Sequence, residues 1–197
     1  MSALVDEESE FEKQGIKFVI IKEDMYEAVK DFYWEHFIPD EPCSRSLGMT
    51  RGSFMDKFVL PDIFNHKCSI AAINASGDIL AIRLAQIRCR GQWFDKMMER
   101  MFMKVFNSER MTAMLLGESW RRTGSTFIKM AKILNYDVWG AFDQLGCDKI
   151  YEDKAVCSAR FHGIKGLGTE ITKRSEALAA EMGCTHTYAI VTGKVFV

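Results

Sequence analysis

Apolar and polar positions change rhythm several times along this 197-residue chain, and each change predicts an element. The run IKFVIIK, residues 16–22, is short, β-branched and aromatic, which predicts a strand. In EDMYEAVKDFYWEHFI (23–38) the apolar Met25, Ala28, Val29, Phe32 and Phe37 fall near helical spacing, so a helix follows. PDEPCSRSLGMTRGS (39–53) then breaks the period with two prolines, two glycines and three serines, which puts Glu41 on a loop just past a helix end. Loops in that position often carry chemistry. KCSIAAIN (67–74) and DILAIRLAQIRCR (78–90) read as strands joined by ASG, an antiparallel hairpin.

Residues 94–145 are helix-like. Their first part is rich in methionine, which fits a helix face on a core or an adaptable wall of a substrate pocket. KAVCSARF (154–161) predicts a strand, TEITKRSEALAAEM (169–182) a helix with Gly183 as its stop, and CTHTYAIVTG (184–193) another strand. Strand, loop, helix, strand is a βαβ-type unit. The fold class expected is α/β (α+β): residues 1–15 form a disordered polar leader and 16–197 a single domain.

Composition narrows the function. With 48% apolar residues the chain can bury a full core. A formal charge of −1 lacks the basic excess that would neutralise many phosphates, which argues against a nucleic-acid partner. The six cysteines (Cys43, Cys68, Cys89, Cys147, Cys157, Cys184) show no CxxC spacing, so neither a metal site nor a redox pair is expected; buried thiols in a reducing compartment are. MSALVDEESEFEK has no apolar signal core, and no stretch approaches ~18 uninterrupted apolar residues. The expectation is a soluble cytoplasmic protein without a membrane partner.

HGIKGLGTEITKR (162–174) is the segment richest in chemistry. A P-loop needs G-x-x-x-x-G-K-[ST], but Thr169 stands where the lysine belongs. A dinucleotide fingerprint needs a third glycine where Ile171 stands, and a long α/β sheet downstream. Both readings fail. What remains is a loop whose backbone N–H groups, with no β-carbon at Gly163, Gly166 or Gly168, can close on a pyrophosphate at a helix N-terminus, with Lys165 adding charge. Taken alone, the same glycines also suit a tight turn.

The order of elements, together with three segments, resembles the GCN5-related N-acetyltransferases, and within them the insect-type arylalkylamine (dopamine-like) N-acetyltransferases. SARFHGIKGLGTEITKR is similar to that group's V-x-P-x-Y-R-G-K-G-L-G segment, FIPDEPCS to its D-E-P loop, and MGCTHTYAIVTGK to its last core strand. The resemblance spans about residues 16–194. It implies acetyl-coenzyme A as co-substrate and an arylalkylamine such as dopamine, serotonin or tryptamine as acceptor. It also implies a notch between splayed parallel strands where Val156, Cys157 and Ser158 pair with the pantetheine arm, while Gly163, Ile164, Lys165, Gly166, Leu167 and Gly168 wrap the pyrophosphate. Glu41 would be the base that removes the ammonium proton, and Thr192 a hydroxyl assisting the departing thiolate.

The chain also departs from that pattern. Phe196 stands at the family's second hydroxyl position, Gly163 where Arg or Gln is usual, and His162 where Tyr is usual. The sequence stops at Val197, without the family's further helix and last two strands, so a shortened form is expected. Two functions follow: an acetyl-coenzyme A-dependent amine N-acetyltransferase, or a weakly active or inactive member that binds coenzyme, amine or a partner.

Overall fold

In the computed structural model the described residues are 10–49, 51, 59–92, 96–97, 100–101, 104, 108–116, 137–160 and 163–190. They build one five-stranded mixed sheet flanked by helices, as the sequence predicts. The strands β1 (Lys17–Ile20), β2 (Ile70–Ile73), β3 (Ile79–Cys89), β4 (Lys149–Ser158) and β5 (His186–Ala189) lie side by side in chain order. All neighbours are antiparallel except β4 and β5, which run parallel.

The β2–β3 hairpin forms where expected. Asn74 closes it by accepting from the Asp78 backbone N–H at 2.8 Å, and Gly77 takes a left-handed φ of 91° that a side chain would oppose.

The alternation of β3 splits the core in two. Ile82 and Leu84 face α2 (Tyr26–Phe32) and α4 (Leu60–Asn65), packing with Val29, Phe32, Leu60 and Ile63. Ala81, on the other face, lies under α7 (Leu167–Glu181) with Ile70, Leu167, Ile171 and Leu178. Small alanines there let the long helix approach the sheet closely.

Several boundaries differ from expectation. The segment read as one helix over 23–38 is a 3-10 turn (Glu23–Met25), then α2, then a π-helical turn (Tyr33–Phe37). The segment read as a loop after it contains α3 (Pro42–Leu47), with proline in its first turn and Gly48 left-handed at its end. In the helix-like stretch, α5 (Glu109–Leu116) and α6 (Val138–Leu145) are helical. The leader is a correction in its second half: Glu10–Lys13 form α1, whose Phe11 packs on the core under α7.

The largest difference is at β4, which starts five residues earlier than its apolar run, at Lys149 rather than 154. Polar Glu152 disguised the strand. Its carboxylate is buried and takes the Arg88 Nε at 2.8 Å and the Lys154 ammonium, while Arg88 also donates to Gln86 at 2.9 Å and lies over the Trp139 ring of α6. Burial works to raise the Glu152 carboxyl, but Lys154 and Arg88 outweigh it and hold the group below the ordinary range. A lowered group stabilises above its unfolded value and loses that contribution as the pH falls below it. Glu152→Ala, which strands the Arg88 charge in the interior, is therefore expected to cost about 3–5 kcal/mol in urea unfolding. Arg88→Met/Glu152→Leu/Lys154→Met, which removes all three charges of the cluster, should recover most of that loss.

No described helix is long and apolar enough to cross a membrane. No group of metal-ligating side chains occurs among the described residues.

Candidate active site

The parallel pair β4–β5 is joined for only four residues, from Ile150↔His186 to Asp153↔Ala189. Beyond Asp153 the described part of β4 keeps its ladder to β3 alone. At that point β4 carries a β-bulge: the β3–β4 register slips between Leu84 and Ala85, which makes Lys154 the extra residue. A bulge bends its strand and increases its local twist. Among the described residues no second strand pairs with β4 from Lys154 to Ser158, and Val156, an apolar residue within a strand, is 42% exposed.

Helix α7 meets this edge with its N-terminus. The groove between them is lined by Val156, Cys157, Ser158, Gly168, Thr169 and Thr172. Gly163 and Gly166 carry left-handed φ of 67° and 80°, turning the chain sharply into the helix. The first intrahelical bond runs from the Glu170 N–H to the Gly166 carbonyl at 3.0 Å, so the N–H groups of Leu167, Gly168 and Thr169 precede the helical ladder. A β-carbon on Gly168 would meet nothing within 4 Å and would stand in the groove. Backbone donors, helix dipole and vacant glycine positions together suit an anionic phosphate group.

Arg83 fixes the helix to the strand. Its guanidinium, 3% exposed, meets Asp153 at 3.1 Å just before the bulge and donates to the Thr172 carbonyl of α7 at 2.9 Å. Burial pushes the Asp153 carboxyl up, more than Arg83 draws it down. Seventy residues separate this pair in sequence, and no spacing pattern foretells it.

Glu41 stands at the N-cap of α3, not on an open loop. Its carboxylate accepts from the Cys43 N–H at 3.0 Å and from the Ser44 N–H, which gives the side chain one orientation. The neighbouring Asp40 is what ties this turn to the groove. Arg160, directly beyond β4, grips both of its oxygens at 2.8 and 3.1 Å. The Cys157 thiol is pushed up to about 12, chiefly by burial and further by the Asp40 charge. Two segments 120 residues apart, the DEP turn and the end of β4, therefore meet.

Of the residues expected at the site, Val156, Cys157, Ser158 and Gly168 line one groove. Gly163, Ile164, Lys165, Gly166 and Leu167 form the turn and helix start beside it, where Ile164 and Leu167 pack into the core below. His162, Thr192 and Phe196 lie outside the described residues. Arg83, Asp153 and Arg160 were missed, because charged residues in or beside strands read as solvent-facing.

Sequence comparison finds neither a matching family model nor a matching curated relative. Structural comparison does find relatives. The chain is similar to arylalkylamine N-acetyltransferase 2 from Aedes aegypti, with 26% identity over 85% of this chain and 72% of that one and a TM-score of 0.66. A mosquito arylalkylamine N-acetyltransferase-like protein, 5b, matches with a TM-score of 0.65 at 12% identity, covering 88% of this chain and 75% of that one. A Drosophila melanogaster polyamine N-acetyltransferase that forms N-acetylagmatine matches with a TM-score of 0.63 at 14% identity, again over 88% and 75%. At 12% and 14% identity the last two speak for the fold alone.

Proposed function

We propose that this chain, which has the fold of the GCN5-related N-acetyltransferases, moves the acetyl group of acetyl-coenzyme A to the primary amine of an arylalkylamine such as dopamine, serotonin or tryptamine. One observation carries the reading: the end of β4 and the glycine-rich start of α7 line one groove, and the turn bearing Glu41 is pinned to its end through Asp40 and Arg160. The arylalkylamine rests on the likeness to the Aedes aegypti enzyme and on the DEP turn.

Acetyl-coenzyme A supplies an activated thioester. The chain's own residues do the rest. Backbone groups of Val156 to Ser158 continue the sheet toward the pantetheine arm, and the N–H groups of Leu167, Gly168 and Thr169 face the pyrophosphate. An ammonium has no lone pair, so a base must take its proton before nitrogen attacks the carbonyl; Glu41 is that base, and as an anion it draws the cation in. The new C–N bond forms, the C–S bond breaks, and Thr192 assists the thiolate that leaves. The six free thiols fit a cytoplasmic setting.

Cys157 lines the groove and invites a covalent route, but its thiol at about 12 stays protonated near neutrality and is a poor nucleophile. Transfer is direct. Cys157→Ala should therefore keep turnover within about threefold, and iodoacetamide should leave Cys157 unlabelled by mass spectrometry at about pH 7.5. An acetylated Cys157 trapped on incubation with acetyl-coenzyme A alone would overturn direct transfer.

The decisive assay is thiol release from acetyl-coenzyme A with tryptamine, dopamine and agmatine as acceptors. Turnover with the aromatic amines above agmatine is expected. One observation favours a second reading, a coenzyme- and amine-binding protein of low activity: both carboxylate oxygens of Glu41 already accept helix N–H groups. Coenzyme binding by folded protein without thiol release from any amine would select it.

A further inference from the structure

The N-terminal turn has no part in the groove, yet it is built against the glycine loop. After α1 the chain folds back: the Gly15 N–H donates to the Glu12 carbonyl at 2.9 Å, the Ile16 N–H to the Phe11 carbonyl at 3.0 Å, and Gly15 takes a left-handed φ of 79°. This return lays the Phe11 ring edge-on against Phe18 of β1, centroids 6.2 Å apart. Phe11 also shares a core cluster with Ile164 and Leu167, and its Cζ lies 3.7 Å from where a β-carbon of Gly166 would stand.

A polar clamp anchors the turn. Arg174 of α7 binds Glu12 at 3.0 Å and Glu170 at 2.9 Å while its guanidinium covers the Phe18 ring at 4.3 Å. Glu12, Arg174 and Glu170 are all partly buried, where such a pair is screened less than on an open surface. One flank of the glycine loop thus faces an aromatic buttress, while the β-carbon position of Gly168 opens on the groove.

We propose that Phe11, anchored through Glu12 and Arg174, is a positioning residue for the coenzyme loop. A loop with two left-handed glycines samples many backbone states when unsupported, and ordering it on binding would weaken affinity. Packing Gly166 against Phe11, with Ile164 held in the same cluster, removes those states beforehand. The proposal rests on reading the groove as the coenzyme site; the support of the loop itself does not.

The test uses the full chain with Phe11→Ala, Phe11→Leu and Glu12→Gln. Coenzyme A affinity is measured by calorimetry, and amide hydrogen exchange is followed over residues 163–169 and over β2 and β3. Phe11→Ala is expected to weaken coenzyme A by about tenfold and to speed loop exchange by about as much, leaving the strands unchanged. Phe11→Leu, which keeps an apolar prop, should restore most of both, and Glu12→Gln should move the loop in the same direction by less. Loop exchange like the wild type in Phe11→Ala, or a rise spread evenly over the whole chain, overturns the proposal. Should Phe11→Ala not fold, unaltered loop exchange in Glu12→Gln overturns it instead. Wild-type protein that binds no coenzyme A would sink the reading of the groove, while the exchange comparison still decides for or against Phe11.

Discussion

Glu41→Gln should lower acetyl transfer by about a hundredfold or more, the ordinary contribution of a positioned base, while coenzyme A affinity measured by calorimetry stays within about twofold. Glutamine is the informative replacement. Its one carbonyl oxygen can still accept from the Cys43 or Ser44 N–H, so α3 keeps part of its cap, and the fold should lose no more than about 1 kcal/mol. What glutamine cannot do is take a proton from an ammonium. Equal turnover by the variant and the wild type would remove Glu41 from the chemistry and leave it a helix cap. A loss of coenzyme affinity alongside turnover would point instead to disruption of the turn that Asp40 and Arg160 pin to the groove.

Gly168→Leu should abolish coenzyme binding at ordinary concentrations, a fall in affinity of about a hundredfold, or about 2.7 kcal/mol, with no loss of stability. The reasoning is steric. Gly168 lies inside α7 with a helical backbone, its β-carbon would touch nothing within 4 Å, and the space it would fill is the groove. Leucine is also a better helix former than glycine, so thermal unfolding should move upward if at all. Gly166 gives the contrasting case, since its φ of 80° makes any side chain costly to the fold. Unchanged coenzyme affinity in folded Gly168→Leu would mean that the groove holds something else. The two variants separate as well: Glu41→Gln should affect turnover and spare the coenzyme, whereas Gly168→Leu should affect both by way of the coenzyme.

Much of the fold could be read from residue order because it depends on local rules. The hairpin at Asn74–Asp78, the helix over 167–181 and the mixed α/β class all follow from periodicity and turn chemistry acting over a few neighbours. The first half of β4 was hidden because Glu152 and Asp153 are strand residues only by virtue of Arg88 and Arg83, each on β3. A buried charge advertises itself as a surface residue until its partner is known. Phe11 was hidden for a related reason: one aromatic in an acidic stretch buries itself only if a distant surface receives it.

The sequence by itself determined the glycine turn at the start of α7, the DEP turn with its carboxylate, the mixed class of the sheet and a formal charge of −1. These are properties of backbone freedom, period and net charge, which neighbouring residues set among themselves. Only the tertiary structure decided that Lys154 is an extra residue in the ladder between β3 and β4, that Glu41 caps a helix, and that Arg160 holds Asp40 at the end of β4. It alone, too, laid Phe11 against Gly166. Each of these joins residues far apart along the chain, and such contacts exist only once the core has brought their elements together.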